Sequence, residues 1–479
     1  MSIPMPNFAR RRTEMIRTRL IATGLAASAV AISYAAFDAA TPVLMTRNEA
    51  GYASTVSTRG VIDRQNPFFQ DLGTNGRTCV HCHQPDAAWS ITPANLQQVF
   101  DKSSGLDPVF RTNDGSNSPL TDVSTVEKRR SAYSMLLNKG VIRVGLPVPQ
   151  SAEFELIAVD DPYRFASAAE LSLFRRPLPG TNVRFVSAVM WDGRETLDPI
   201  TNVQTLKSNL MHQALDATLG HAQASKEPAP AQLREIVDFV FGLHTTQVWD
   251  QAAGALVARG ATAGPVALMR EPFFIGINDP VGMNPTGASF DPMAMRVFAS
   301  WEHLTGLSND PSDLGETQDR NAARQAVARG ERIFNTRSIA LSDVGGLNDT
   351  LNVPVLQGTC TTCHDTPNVG NHSVSMPLNI GISDENRRTP DMPLYTLRSK
   401  LTGAVVKTTD PGRALISGKW ADIGKFKGPT LRALAARPPY FHNGSARTLA
   451  DIVDFYDMRF SVGFTAQEKQ DLVAFLRSL

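Results

Sequence analysis

The chain has 479 residues, enough for two or three domains at ~150 residues each. Hydrophobic residues make up 42% and charged residues 19%, which excludes a disordered polyelectrolyte, and 34 Gly with 31 Pro at no fixed period exclude a collagen. Lys and Arg total 47 against 46 Asp and Glu, a net charge of +1, so the chain carries no nucleic-acid footprint.

Residues 1–40 begin with Arg10, Arg11, Arg12, Arg17 and Arg19 against Glu14 and Asp38. An apolar run over residues 20–37 follows, with small residues at Ala35, Ala36, Ala39 and Ala40. A basic stretch, an apolar core and an Ala-rich exit make an export signal peptide. The alternative is an uncleaved anchor, but the run is near the minimum for a span, and Thr23, Gly24, Ser28 and Ser33 weaken it. The mature protein is expected to be soluble and periplasmic, with no membrane association after cleavage.

Cys79-Val80-His81-Cys82-His83 and Cys360-Thr361-Thr362-Cys363-His364 both read Cys-x-x-Cys-His, and together they use all four cysteines. This spacing lets two thiols add across the vinyl groups of one haem while the adjacent His83 or His364 reaches the iron. A redox dithiol does not need the trailing histidine, and zinc asks for other separations of Cys and His. Disulfides would be sparse in so long a chain. Two covalently bound haem c groups are the reading that uses every cysteine. His81, inside the first motif, is expected to point away from the iron toward the surface.

Residues 153–185, with several prolines and Arg175-Arg176-Pro177, read as mostly loop. Ile236, Val237, Val240 and Leu243 then form one helical stripe, which Leu472, Val473, Leu476 and Leu479 repeat. His244 continues the first stripe as a capping or core residue. Thr465 with Glu468 caps the second copy. Trp191-Asp192-Gly193 followed by Thr196-Leu197 parallels His442-Asn443-Gly444 followed by Thr448-Leu449, and Arg59-Gly60 parallels Arg329-Gly330. The fold expected is mainly α: two cytochrome c-like haem domains, residues 51–248 and 319–479, joined by a loop-rich connecting segment, residues 249–318, with a short helix around 293–304. Each haem unit runs helix, motif, long loop, short helix, closing helix.

These residues resemble the bacterial di-haem cytochrome c peroxidase family, which includes the MauG-type enzymes. The blocks that carry the resemblance are Phe426-Lys427-Gly428-Pro429-Thr430-Leu431-Arg432, Pro439-Tyr440-Phe441-His442-Asn443-Gly444 and Met190-Trp191-Asp192-Gly193-Arg194. The resemblance implies that one haem meets hydrogen peroxide while the other relays electrons from a small periplasmic donor, a cytochrome c or copper protein. It implies that Trp191 bridges the two haems and that Arg432 lies near haem propionates; read without it, Trp191 is a core aromatic near a turn and Arg432 a surface charge.

The sixth ligand of the relay haem falls by ungapped count on Tyr456, where peroxidases usually have Met and MauG-type members Tyr. Thr448 and Asp451 cap this helix, and Leu449, Ile452, Val453 and Tyr456 share one face, with Met458 about 200° further round. Burial alone also explains that periodicity. No histidine lies between Gln84 and Met211 to plug the peroxide haem, and His212 and His221 are the nearest. The family's distal glutamate falls on Gln223, which cannot shuttle a proton, so His221 is expected as the distal acid–base with Gln223 orienting it and Asp216 as a further option. A structural histidine is the competing reading. His303 and His372 carry no constellation. Family members hold calcium through an Asn after the first haem; the local match, Arg130-Ser131-Ala132-Tyr133, lacks it and leaves calcium doubtful. Besides the peroxidase, the sequence allows a MauG-like enzyme oxidising a protein or organic substrate, or a non-enzymatic electron carrier.

Overall fold

The computed structural model describes residues 43–307, 313 and 317–479; the signal peptide read at residues 1–40 lies outside them. The mainly α expectation holds only in part, because among the described residues eleven strands accompany the helices. In chain order they are β1 (Val43–Asn48), β2 (Gly51–Ser57), β3 (Ile142–Leu146), β4 (Phe154–Asp160), β5 (Leu171–Arg175), β6 (Leu243–Asp250), β7 (Gly254–Ala255), β8 (Ile339–Ser342), β9 (Val355–Gly358), β10 (Leu394–Ser399) and β11 (Val405–Thr408). They form a four-stranded sheet β1-β2-β6-β7, a three-stranded sheet β11-β10-β4, and the hairpins β3-β5 and β8-β9. Six longer helices carry the rest: α1 (Pro93–Ser103), α2 (Val203–Gly220), α3 (Pro230–Gly242), α4 (Gln318–Thr336), α5 (Leu449–Phe460) and α6 (Ala466–Ser478).

The second half follows the expected order. Helix α4 precedes the second motif, and α5 and α6 close the chain with the Thr448/Asp451 and Thr465/Glu468 capping boxes that the sequence shows. Helices α4 and α6 cross at Gly330, where a Cβ would lie 2.0 Å from the Asp471 carbonyl oxygen. Only glycine permits that approach. Arg329 fixes the crossing by donating from Nε and Nη2 to the two Asp471 oxygens at 2.8 and 2.9 Å.

The first half departs from its expected order. Among the described residues no α-helix precedes the first motif; the hairpin β1-β2 and a single 3-10 turn, Pro67–Phe69, stand there instead. Gly60 sits in a turn at φ +70 where a Cβ would meet nothing, so Arg59-Gly60 is not the counterpart of Arg329-Gly330. Helix α3 ends at Gly242, and His244 lies in β6, fully buried, rather than on a continued helix. Strand β6 reads Leu-His-Thr-Thr-Gln-Val-Trp-Asp, too polar to be recognised as buried. Part of this polar load is satisfied inside: Thr245 Oγ1 lies 2.8 Å from Thr55 Oγ1 and 2.9 Å from Thr181 Oγ1, while Thr246 Oγ1 and His244 Nε2 are buried without a hydrogen-bond partner. Residues 153–185, read as mostly loop, supply β4 and β5. Strand β4 pairs with β10 of the second half, so its partner is far away in sequence.

Residues 249–318 are more than a connection. Leu256, Met295, Phe298 and Trp301 are wholly or almost wholly buried in one core with Phe334 and Phe475 of the second half. The helix expected at 293–304 shrinks to a single turn, Ala299–Trp301.

A buried ionic cluster joins the halves. Arg175, at the end of β5, donates from Nη1 to Asp192 at 2.5 Å and from Nε and Nη2 to Asp410 at 2.7 and 2.9 Å. All three side chains are at most 2% exposed. Burial pushes the Asp192 pKa up, but Arg175 and Arg194 outweigh it and hold the carboxyl at about 2.

Two consequences are measurable by denaturant unfolding. Gly330→Ala is expected to cost about 1–3 kcal/mol, because the added methyl meets backbone that cannot yield without separating α4 from α6. Asp192→Asn leaves Arg175 half-paired in a dry site and is expected to cost about 3–5 kcal/mol at neutral pH. Since the folded pKa of Asp192 lies below its unfolded value near 3.9, its contribution is complete above that pH and disappears as the pH falls toward 2. The variant should therefore lose part of the acid dependence of stability that the parent shows there.

Candidate functional site

The two Cys-x-x-Cys-His motifs adopt the same turn. Cys79–His81 and Cys360–Thr362 are each one turn of 3-10 helix, closed by Cys82 at φ −113, ψ −9 and by Cys363 at φ −110, ψ −13. In each, the histidine amide donates to the first cysteine's carbonyl, at 2.9 Å for His83 and 3.1 Å for His364. The imidazoles are held alike: His83 Nδ1 lies 3.0 Å from the Trp89 carbonyl oxygen and His364 Nδ1 2.6 Å from that of Gly370, each six residues on. A carbonyl only accepts, so Nδ1 carries the proton and Nε2 keeps the lone pair that a metal ligand needs. Burial lowers both histidine pKa values and so favours the neutral ring.

Burial also pushes the thiols of Cys79, Cys360 and Cys363 up to about 12 and that of Cys82 to about 11. Thiolates for a redox dithiol or a zinc site need the opposite shift. None of the four is in a disulfide. His81 is half-buried rather than at the surface, because its Nδ1 accepts the Thr78 amide at 3.0 Å within the same turn.

A cavity opens beside His364, walled by Cys360, Cys363, Leu378 and Phe441 and reached from the first half by Arg176, Pro177 and Trp191. Tyr456 lines it; Met458, on the other side of α5, is 68% exposed. Of the two candidate sixth ligands, Tyr456 alone faces the cavity. Burial, with Cys363 and Cys360 close by, raises its phenol pKa well above the usual range.

Arg432 is elsewhere. Its buried guanidinium donates to the carbonyl oxygens of Leu479 at 3.2 Å, Asn368 at 2.8 Å and Ala263, and the residue is not on the cavity wall. Backbone carbonyls take the side chain, and Arg176 and Arg437 occupy the wall in its place.

Trp191 lines the cavity where the halves meet. Its Nε1 donates to the Arg176 carbonyl at 2.8 Å, and its ring lies 6.3 Å from that of His442. The parallel between Met190-Trp191-Asp192-Gly193 and Phe441-His442-Asn443-Gly444 is structural. Met190 and Phe441 both have positive φ (68 and 63), as do Gly193 and Gly444 (72 and 68). Asp192 Oδ1 and Asn443 Oδ1 each accept the amide two residues on, both at 3.1 Å. The exchange between halves is reciprocal: Lys427 donates its amide to the Trp191 carbonyl at 2.9 Å, and Arg176 to the His442 carbonyl at 2.6 Å. Pro177 and Pro179 continue the wall to Gly180, whose amide donates at 2.7 Å to the same Trp89 carbonyl that receives His83. A run of contacts thus links the wall at Trp191 to the carbonyl that holds His83. His442, which the sequence reading passed over, is 1% exposed, stacks on Phe426 at 4.0 Å, and has its pKa lowered to about 4 by burial.

His221 caps the C-terminal end of α2, close enough to His83 to contribute to that residue's lowered pKa, behind burial. Its Nδ1 is bound by the buried Asp114 carboxylate, whose other oxygen is held by Arg77. Nδ1 thus carries the proton and Nε2 is left as the basic nitrogen. Gln223 does not orient it: at φ +54 it turns outward, and its exposed side chain accepts from Asn75 Nδ2 at 3.2 Å. Asp114 takes that role from 107 positions away, which no local spacing signals. His212 Nδ1 instead meets Glu195 at 2.7 Å, with Asp216 alongside. His372 has a partner too, with Nδ1 3.1 Å from Asp365 Oδ1 in a buried contact next to His364.

No family model matches the chain. Among curated proteins it is similar to cytochrome-c peroxidase IdrP2 of Denitromonas iodatirespirans, 34% identical over 134 residues, covering 26% of this chain and 36% of that protein. It is 26% identical over 211 residues to cytochrome-c peroxidase IdrP1 of Pseudomonas sp. (strain SCT), covering 39% of this chain and 48% of the relative. With IdrP2 of the same strain it shares 31% over 203 residues, covering 40% and 50%. The matches thus span half or less of these relatives' own length. A solved MauG-like protein associated with microbial copper homeostasis aligns over 87% of this chain and 86% of its own at 15% identity, with a TM-score of 0.38, too loose to carry residues across. Over part of its length, then, the chain is similar in sequence to bacterial cytochrome c peroxidases.

Proposed function

We propose that the protein is a periplasmic di-haem c-type oxidoreductase that reduces hydrogen peroxide with electrons from a small redox protein, a cytochrome c or a copper protein. The observation that carries this reading is the pair of superimposable Cys-x-x-Cys-His turns, each with its imidazole pinned by a carbonyl six residues on. The residues fit covalent haem: two half-buried thiols per turn, a histidine with its Nε2 lone pair kept, and a cavity beside His364. Haem, when bound, supplies iron that meets the oxidant at one motif and passes electrons at the other.

Cys79, Cys82 and His83 would hold the peroxide haem, and Cys360, Cys363 and His364 the relay haem, with Tyr456 as the sixth ligand. His221 Nε2 takes a proton from one peroxide oxygen and returns it to the departing oxygen, while Asp114 fixes the tautomer that makes Nε2 the base. Trp191 lies on the route between the two motifs. No helix of the described residues is long and apolar enough to cross a membrane.

Tyr456 favours a second reading. A phenolate is a hard anionic ligand that stabilises oxidised iron, whereas a thioether raises the potential. A protein built this way stores oxidising power, which suits a MauG-like enzyme acting on a protein or organic substrate.

Steady-state assays of the purified holoprotein with peroxide and a reduced cytochrome c test the first reading. His221→Ala is expected to lower turnover by about 10²–10⁴-fold, with a smaller loss for Asp114→Asn. A wild-type protein that consumes peroxide only with an organic or protein substrate present moves the assignment to the second reading. One whose ferrous form binds no carbon monoxide is an electron carrier. Tyr456→Phe should change the visible spectrum and spin state of one haem only; an unchanged spectrum removes Tyr456 from the iron.

A further inference from the structure

Two guanidinium groups face the cavity beside His364 with no carboxylate to meet them. Arg176, 6% exposed, donates only to carbonyls: Lys139 at 3.2 Å, Ile91 at 2.8 Å and Arg437 at 3.1 Å. Arg437 donates from Nη2 to the carbonyls of Thr430 and Arg432 at 2.7 and 3.3 Å, and its buried Nε has no partner. Lys427, on the same wall, gives its ammonium to the Ala188 carbonyl at 2.8 Å.

Stripping water from unpaired cations is costly, and a second cation nearby adds to the cost. Burial lowers Arg176 to about 9, with Arg437 adding to the shift, and lowers Arg437 to about 10; the one group pulling the other way on both is the Tyr440 phenol. Arg432 differs, since Glu271 and Glu331 lie close enough to act on it. The cavity wall therefore carries an anion-shaped deficit that the polypeptide leaves unfilled.

We propose that Arg176 and Arg437, flanked by Lys427, bind the propionates of the haem attached at Cys360 and Cys363, in the place where the sequence pointed to Arg432. This rests on the haem reading above. Two carboxylates set against two planar forks make charge-assisted pairs, and the orphaned Arg437 Nε becomes a donor to one of them. Arg176 belongs to the first half and Arg437 to the second, so the group held by the second motif is clamped from both sides of the junction. Haem attached there ties the first half to the second at the wall that also holds Trp191.

The test uses holoprotein carrying Arg176→Gln or Arg437→Gln. Haem content is read by mass and by pyridine haemochrome, and the midpoint potential of each haem by spectroelectrochemistry across pH. Either variant should keep two haems, lower the potential of the haem at Cys360 and Cys363, make that potential more strongly pH-dependent, and leave the other haem unmoved. Arg437→Lys, which keeps the charge, should restore most of the potential. A full haem complement with unchanged potentials and pH profile overturns the clamp alone, whereas a wild-type chain without haem overturns the functional reading with it. If the glutamine variants do not accumulate, resonance Raman on the wild type decides. A propionate-bending band at the hydrogen-bonded position supports the clamp, and a band at the unbound position overturns it.

Discussion

The junction between the two halves is organised by one arginine shared between two carboxylates. Arg175 sits at the end of a strand of the first half and holds Asp192 of that half and Asp410 of the other, all in the dry interior. Such a cluster gains little over an apolar core of the same volume, but it admits no partial solution, because any member left alone is an unpaired buried charge. That all-or-nothing character makes it a specifier of geometry. Asp192 is the neighbour of Trp191, and Asp410 lies 3.7 Å from the His442 ring, so the same three charges place both aromatic rings that face each other there.

Around that cluster the chain meets a copy of itself. The loops bearing Trp191 and His442 share two left-handed positions and an Asx turn, and each gives its carbonyl to an amide of the opposite half. The scaffold is thus duplicated while the ring at its centre is not: one copy presents an indole with its N–H bonded, the other an imidazole with neither nitrogen bonded. Division of labour between two otherwise similar units begins at such a position.

The motifs were legible in the sequence because covalent chemistry fixes their spacing; the closing helices and their caps were legible because the apolar stripe and the Thr-x-x-acid signals are local. That Tyr456 faces inward was legible from helical period. What escaped were interactions set by tertiary contact. Strand β6 is polar in composition, with Thr245 held by a threonine and an asparagine of other segments, so alternation gave no warning. Strand β4 has its partner in the other half, and Asp114 reaches His221 across a hundred residues. Arg432 is buried rather than a surface charge, but a guanidinium suits a ring of carbonyls as well as an anion, and only the fold distinguishes the two. The parallel drawn at Gly60 failed for a related reason: two identical dipeptides occupy a turn and a helix crossing.

The pairing of β4 with β10 also orders events during synthesis. Arg398 on β10 meets Glu155 on β4 across 243 positions, so a nascent chain leaving the ribosome holds β4 with an unpaired edge until most of the polypeptide has been made. Both Cys-x-x-Cys-His turns precede β10 in the chain, so each is made before that edge can be covered. The topology thereby makes closure of the shared sheet a late event, after both turns exist.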